Sequence, residues 1–249
     1  MKAIILFTAN VLAKIWQMIP TKIRLGLIFG LLLVESRSGR PSETLKNLFQ
    51  IRDKIDWAIN DRSLTFGKGE HPKHRLTAYH DFFIERVKES NSVLDIGCGY
   101  GAVARSIAKA HPNCLVLGVD IDAERLKQAI NSKGYPNLRY VLADATTDLP
   151  AEKWDVVVLS NVLEHIHDRV GFLRAIKEKV DPKKFLIRVP HFERDWQLAM
   201  RKELGIYYFS DPDHKIEHTI EEFESEILKA GLSIVDLNTP WGEIWAECV

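Results

Sequence analysis

The stretch SVLDIGCGYG, residues 92–101, combines a short apolar run, a carboxylate at Asp95 and three alternating glycines. The run predicts a buried strand, and the spacing of apolar residues in 103–108 predicts a helix directly behind it. Glycines in the connecting turn accept positive φ and let a ligand approach the backbone closely. The first N–H groups of the helix can meet polar or negatively charged ligand atoms. The stretch therefore predicts a turn that binds a nucleoside or a phosphate.

A glycine triplet is a weak signal by itself, because many tight turns look similar. A turn without any ligand fits these residues. Dinucleotide binding through Gly97-x-Gly99-x-x-Ala102 fits them as well. The rest of the chain has to discriminate among these alternatives.

Length, charge and cysteine content limit the classes of protein. The 249 residues suffice for one α/β domain with additions. The 34 basic and 34 acidic residues balance, so charge gives no argument for a nucleic-acid partner, and we expect none. Cys98, Cys114 and Cys248 are odd in number and show no metal-ligand spacing. They indicate a reduced, cytoplasmic compartment. Clustered histidine and aspartate side chains could also hold a metal, but no close pair of them shows ligand spacing, so we expect no metal site.

The N-terminal region contains two apolar runs, residues 3–12 and 25–34, separated by Pro20 and several basic residues. Neither run reaches the roughly 20 residues of a spanning helix. Two short helices are predicted instead. They either pack on the protein or on a second copy in a homodimer, or residues 1–34 lie peripherally at the inner face of a membrane.

A helix is predicted from Ser42, as its N-cap, to about Asn60, because apolar residues recur there at helical spacing. Residues 66–75 are rich in glycine, histidine and basic side chains, and form either a loop that closes over a ligand or a solvated connector. Another helix is predicted over 76–88. We therefore divide the chain into an N-terminal helical extension and lid, residues 1–75, and a main domain, residues 76–249.

Strands and helices alternate from residue 92 onward. Further strands are predicted over 115–120, 138–143, 154–160 and 184–189, with helices between several of them. This alternation predicts a doubly wound parallel sheet, whose ligands bind beyond the carboxyl ends of the strands. The polar residues at those ends are Asp95, Asp120, Asp144, Asn161 and His191.

In four ordered motifs the chain resembles the class I S-adenosylmethionine-dependent methyltransferases. The motifs are VLDIGCGYG (93–101), GVD (118–120), ADA (143–145) and NVLEH (161–165). Residues 211–214 and the helix predicted from Thr219 to Ala230 are also similar to this family. The resemblance implies a Rossmann-like, seven-stranded sheet with helices on both faces, whose last two strands, over 232–239 and 244–249, pair with each other. The absence of a Tyr-x-x-x-Lys pair weakens the dehydrogenase alternative.

The resemblance also implies a role for each matching residue in binding S-adenosyl-L-methionine. Asp95, Gly97 and Gly99 would bind its methionine part, and Asp120 its ribose hydroxyls. Asp144 would meet the adenine amino group and Asn161 would lie beneath the sulfonium. Four further residues complete the set: Ile121 would pack against the adenine ring, and Cys98, Gly101 and Ala145 would line the same site.

Methyl transfer to a hydroxyl needs a base, and histidine is the side chain that titrates nearest to neutral pH. His165 and His191 are the preferred candidates, ahead of His214 and His218. A histidine in such a loop is more often only a hydrogen-bonding residue, so these assignments are hypotheses.

The acceptor is predicted from the aromatic and charged insertion over 188–209, since such loops commonly carry specificity. Its side chains suit a sugar or an aromatic acceptor. We therefore expect O-methylation of a small molecule or glycan. A lipid-linked or quinone acceptor, and a catalytically inactive cofactor-binding protein, are the alternatives.

Overall fold

The computed structural model describes residues 12–68, 71–89, 91–150 and 152–249. The apolar run predicted over residues 3–12 lies almost wholly outside these ranges. In the part of the chain that is described, no helix is both long enough and apolar enough to cross a membrane. The contacts divide the chain into two compact units. One comprises the described residues of Met1–Gly69 with Glu203–Ile206, and the other comprises those of Glu70–Lys202 with Tyr207–Val249.

The first unit is helical. Residues 12–16 form a short helical segment, followed by α1 (Thr21–Glu35) and α2 (Pro41–Phe66). The prediction that Ser42 is the N-cap of α2 is wrong. Pro41 occupies the first helical position, and Arg40 is the N-cap. Proline suits that position, since its fixed φ matches the helix and its missing N–H would be unpaired there anyway. The helix also runs on to Phe66, beyond the predicted end.

The helix predicted over 76–88 is two helices, α3 (Lys73–Thr77) and α4 (Tyr79–Arg86). Ala78 separates them with a left-handed backbone (φ 50°). The predicted loop over 66–75 is correspondingly shorter. Whether residues 1–75 form a lid stays a prediction.

The second unit contains the sheet and the helices that cover it. The strands are β1 (Ser92–Ile96), β2 (Leu115–Asp120), β3 (Leu138–Leu142), β4 (Val156–Ser160), β5 (Lys184–Pro190), β6 (Ile234–Asn238) and β7 (Glu243–Cys248). The helices that follow α4 are α5 (Ala102–Ala110), α6 (Ala123–Asn131), α7 (Arg169–Val180), α8 (Trp196–Glu203) and α9 (Ile220–Lys229).

The sheet has the order β3-β2-β1-β4-β5-β7-β6, and β7 runs antiparallel to both of its neighbours. The remaining neighbours are parallel. The predicted seven-stranded, doubly wound fold with paired last strands is confirmed. The alternation of strands and helices predicts a parallel sheet, whereas the antiparallel β7 makes the sheet mixed. The strand order reverses between β1 and β4, and ligands of such sheets bind beyond the carboxyl ends at this point.

Two apolar clusters cover the two faces of the sheet. One includes Leu94, Leu159 and Phe223, and the other includes Val93, Ile107 and Phe83. Leu94 and Val93 belong to different clusters because successive strand residues point to opposite faces. Burial of both faces explains why the central strands are continuous apolar runs.

A charged network ties α9 to α7 across the edge of the core. Glu226 of α9 accepts hydrogen bonds from the Arg169 guanidinium (2.6–2.9 Å) and the His218 ring (3.0 Å). Burial alone would raise the pKa of Glu226, but these two donors offset it and lower the pKa to about 2. The ionised carboxylate is therefore part of the folded structure.

Glu226→Gln is expected to lower the free energy of unfolding near neutral pH by roughly 1.5–3 kcal/mol, because hydrogen bonds to a charged group are lost. The folded pKa lies below the ordinary value of 4.5, so this contribution is present above about pH 4.5 and disappears as the pH falls toward 2. Urea unfolding of both proteins over this range measures it. Glu221→Gln, on the exposed side of α9, is the control. A difference between wild type and Glu226→Gln that does not change with pH would contradict the assignment.

Candidate cofactor site

The glycine turn after β1 is shaped by close packing on two sides and is open in its middle. Gly97 and Gly101 both have positive φ, and a Cβ there would lie 2.7 Å from Val162 Cγ2 and 2.2 Å from Tyr140 Oη. Gly99 also has positive φ (53°), but a Cβ on it would meet no atom within 4 Å. The middle of the turn therefore leaves room for a ligand at the backbone.

Asp120, the last residue of β2, holds this turn in place. Its Oδ2 accepts the N–H of Gly99 at 2.6 Å, and its Oδ1 accepts the N–H of Asp122 at 2.8 Å. Only 6% of the residue is exposed. A carboxylate has about four acceptor positions, and these two bonds use half of them. The others can accept two hydroxyl groups.

A cavity of about 230 Å³ lies at the carboxyl ends of β1, β2 and β4. Seven of the predicted residues line it: Gly97, Asp120, Ile121, Asp144, Ala145, Asn161 and His165. Further lining residues that the sequence analysis did not select include Arg125, Thr146, Val162, Phe172 and Asp213. Most of the predicted cofactor residues are thus brought together, although they lie in four separate motifs.

The cavity has an apolar lining residue, Ile121, and a polar one, Asp144. Ile121 is 69% exposed and presents an apolar surface to the cavity. Asp144 accepts the Thr146 N–H (2.9 Å) and hydroxyl (2.6 Å), and these bonds lower the pKa of Asp144. Ile121 thus offers an apolar contact surface, and Asp144 next to it offers an oriented, ionised hydrogen-bond acceptor.

Asp95 lies behind the glycine turn and does not line the cavity. It is 1% exposed, and burial, with the neighbouring Asp120 carboxylate, raises the pKa of Asp95 to about 7, although the Ala104 N–H favours the ionised form. Its Oδ2 has no hydrogen-bond partner among the described residues. A buried, unpaired carboxylate oxygen is costly, so this atom is suited to a ligand cation or donor.

Cys98 and Gly101 stabilise the glycine turn through their backbone groups. The Cys98 N–H donates to Val119 (3.0 Å), and the Gly101 N–H closes the turn on the Cys98 carbonyl (2.8 Å). Burial raises the pKa of the Cys98 thiol, which packs under the turn near Gly118. Neither residue lines the cavity.

Asn161 carries a conformation that is rare for a residue other than glycine, with φ 58°. Its N–H donates to the Arg188 carbonyl (2.8 Å), and its side-chain amide donates to Glu164 Oε1 (2.8 Å). Both bonds hold the residue in this conformation at the cavity wall. Strained backbone of this kind is concentrated at functional sites.

The two candidate bases occupy different surroundings. His165 lines the cavity, with its Nδ1 3.6 Å from Asp213 Oδ2 and its ring 4.7 Å from the His214 ring. His191 follows β5, does not line the cavity, and has its Nε2 3.4 Å from Glu193 Oε2. Only His165 lies where a ligand of this cavity could meet it.

Glu164 is a site residue that was not predicted, and His214 was predicted only as a less favoured candidate base. Glu164 is completely buried, and His214 is 8% exposed. Burial, opposed by the Asn161 amide and by His214, raises the pKa of Glu164 to about 7. Only the fold brings His214 to Glu164 and His165.

Comparison with known proteins adds to this geometry. Residues 94–187 match the family described as "Methyltransferase domain". They include the glycine turn and the ends of β2, β3 and β4. This segment of the chain is a methyltransferase domain, and its similarity is to the class I S-adenosylmethionine-dependent methyltransferases. The cofactor that this similarity implies is S-adenosylmethionine.

Two curated relatives illustrate how far the similarity extends. The chain is 36% identical over 121 residues to a ribosomal protein L11 methyltransferase of Burkholderia ambifaria, covering 48% of this chain and 38% of that protein. It is 28% identical over 156 residues to a ubiquinone biosynthesis O-methyltransferase of Hydrogenovibrio crunogenus, covering 60% of each. The chain thus spans less than two thirds of the length of either relative.

Among solved structures, the fold resembles a chain of the complex between the Haloferax volcanii Trm112 methyltransferase activator and its methyltransferase. The TM-score is 0.59 at 19% identity, over 78% of this chain and 96% of that chain. At this identity the likeness concerns the fold.

Proposed function

We propose that this methyltransferase-family protein binds S-adenosylmethionine and transfers its methyl group to an oxygen of a small molecule or glycan. The observation that carries the proposal is the convergence of Asp120, Ile121 and Asp144 on one cavity beside the open Gly99 turn. An apolar wall flanked by two carboxylates matches a nucleoside, which has one flat ring and one pair of hydroxyls.

The residues present fit each part of the cofactor. The two free acceptor positions of Asp120 would take the ribose hydroxyls, and Asp144 would accept the adenine amino group next to Ile121. Gly97 and Gly99 would admit the methionine part. The unpaired Oδ2 of Asp95, buried behind the turn, fits a positively charged ammonium group.

Bound S-adenosylmethionine supplies a methyl group that is already activated by its sulfonium. The protein's main task is then to align an acceptor atom with this carbon and to exclude water. Asn161, held by Glu164 and the Arg188 carbonyl, forms a fixed wall at this point of the cavity. Of the two histidines predicted to act on the acceptor, His165 is the one we place beside it.

An aromatic group next to His165 supports an acceptor that carries a ring. Tyr208 packs against Phe192 and Phe209 (centroids 5.8 and 4.5 Å apart), and Phe209 lies 6.5 Å from the His214 ring. His214 in turn contacts His165. Sugars and phenols both bind through ring stacking combined with hydrogen bonds to their hydroxyls, so either class fits.

A lipid-linked or quinone-type acceptor is the second candidate, and α1 favours it. No residue of this helix is buried, and its stretch LGLIFGLLLV, residues 25–34, contains no charged side chain. Lys22, Arg24 and Arg37 add positive charge near its ends. Apolar surface with flanking cations suits an anionic membrane surface. We therefore propose a cytoplasmic protein that associates peripherally with the inner face of a membrane.

Calorimetric titration tests cofactor binding. S-adenosylmethionine and S-adenosylhomocysteine are expected to bind in the micromolar range and NAD not to bind. Asp120→Ala should weaken binding by roughly 1.5–3 kcal/mol, or about tenfold to a hundredfold, because charge-assisted bonds to the ribose are lost. Asp144→Asn should weaken it without touching the Gly99 turn. Asp122→Asn, two residues from Asp120 and outside the cavity, is the control.

Unchanged affinity in Asp120→Ala would refute the ribose assignment, and binding of NAD alone would refute the cofactor. Methyl transfer is then measured with methyl-labelled S-adenosylmethionine and a panel of phenols, catechols and sugars. Label on nitrogen or carbon would contradict O-methylation. Cofactor binding without transfer to any acceptor would favour a catalytically inactive protein.

Membrane association is tested by co-sedimentation with vesicles of phosphatidylcholine and phosphatidylglycerol. In wild type the Phe29 and Leu31 side chains are 60% and 73% exposed. The double variant Phe29→Glu/Leu31→Glu should abolish sedimentation because it places negative charge on the apolar helix. Leu228→Glu/Val235→Glu, at positions 74% and 60% exposed in the other unit, is the matched control. If wild type stays in the supernatant, or both variants sediment alike, the membrane proposal is wrong.

A further inference from the structure

Three side chains that bind metals well meet at the edge of the cofactor cavity. Glu164 and His165 lie in a short 3₁₀ turn after β4, and His214 lies in the loop that leads to α9. One ligand atom from each lies within 4.8 Å of the others. A tetrahedral or octahedral ion with bonds of about 2.0–2.2 Å needs ligand atoms about 3–4 Å apart, so small rotations of these side chains would complete the site.

The Glu164 carboxylate lacks one of the partners that a buried carboxylate needs. The residue is completely buried, and its Oε1 accepts the Asn161 amide at 2.8 Å. Its Oε2 is buried as well and has no hydrogen-bond partner in the described part of the chain. Leaving such an oxygen unpaired costs free energy, and a cation is one of the few groups that satisfies it.

Neighbouring charges favour a cation at this position. Asp213 Oδ2 lies 3.6 Å from His165 Nδ1, and Glu217 Oε1 lies 3.5 Å from His214 Nδ1. The nearby Arg188 guanidinium is paired with Glu243 at 2.5 and 2.6 Å, so its charge is compensated. Asn161 and Glu217 each face one member of the cluster from outside, as the partners that orient metal ligands do.

We propose that Glu164, His165 and His214 bind a divalent transition-metal ion such as Zn²⁺ or Co²⁺. Two imidazoles and one carboxylate favour such ions over Mg²⁺ and Ca²⁺, which prefer oxygen ligands alone. Three protein ligands leave at least one coordination position for another molecule. The sequence by itself predicts no metal, because no close pair of candidate ligands shows ligand spacing along the chain.

The methyl acceptor could bind to this ion through an oxygen atom. This part of the inference rests on the proposed function. His165 also lines the cofactor cavity, so an acceptor oxygen on the ion would lie beside the methyl donor. A metal-bound hydroxyl is a stronger acid than a free one and loses its proton to solvent. Its oxygen then forms the new bond to the methyl carbon, while the carbon–sulfur bond breaks and its electron pair stays on sulfur. His165 serves here as a ligand and not as a base.

Metal binding is tested on the full chain without any acceptor or cofactor, after chelator treatment and removal of any affinity tag. Calorimetry with Zn²⁺ should show one ion per chain, and Co²⁺ should produce visible absorption bands that Zn²⁺ abolishes. Glu164→Gln, His165→Ala and His214→Ala should each weaken Zn²⁺ binding by more than about tenfold. His167→Ala, which removes an exposed histidine two residues away, should bind like wild type.

The fold of each variant is checked by circular dichroism and thermal unfolding. Glu164→Gln replaces the carboxylate by an amide of the same shape, so it separates loss of a ligand from loss of packing. The proposal is overturned if wild type binds no stoichiometric Zn²⁺, or if the three ligand variants bind it as tightly as His167→Ala. Failure of cofactor binding with intact Zn²⁺ binding would instead refute the proposed function alone.

Discussion

The hydrogen bond from the Gly99 N–H to Asp120 joins the turn after β1 to the end of β2, and the cofactor site depends on it. The bond requires parallel, adjacent strands that end at the same edge of the sheet, which is the arrangement of β1 and β2. It also requires a turn without side chains in the way, since Val162 and Tyr140 occupy the space that a Cβ on Gly97 or Gly101 would need. The fold and the cofactor site therefore both require the close approach of the glycine turn to the end of β2.

The same edge of the sheet collects carboxylates whose burial the fold must tolerate. Asp120 is satisfied by two backbone N–H groups, whereas Asp95 and Glu164 each keep one buried oxygen unpaired. Glu226, farther from the cavity, is fully paired with Arg169 and His218. Glu226 thus has all its partners within the chain, whereas Asp95 and Glu164 each leave one oxygen without a partner among the described residues. Bound ligands or ions would supply the missing partners of these oxygens.

The fold and most of the cofactor site could be predicted from the sequence because both depend on local patterns. The apolar runs, the glycines and the acids at strand ends lie in short segments, and parallel strands bring those ends together. The Glu164–His165–His214 cluster depends instead on a loop that returns from 49 positions away, for which the sequence holds no periodic signal. The break at Ala78 was missed because alanine gives no sign of a left-handed backbone.

The central claim, that Asp120 both holds the glycine turn and binds the ribose, is tested most directly by a crystal structure with S-adenosylhomocysteine. The account predicts both ribose hydroxyls on Asp120, the adenine over Ile121 near Asp144, and the Gly99–Asp120 bond intact. It also predicts the amino group of the ligand on the side of the turn where Asp95 lies. A ribose elsewhere, or a turn that releases Asp120 to admit the ligand, would contradict it.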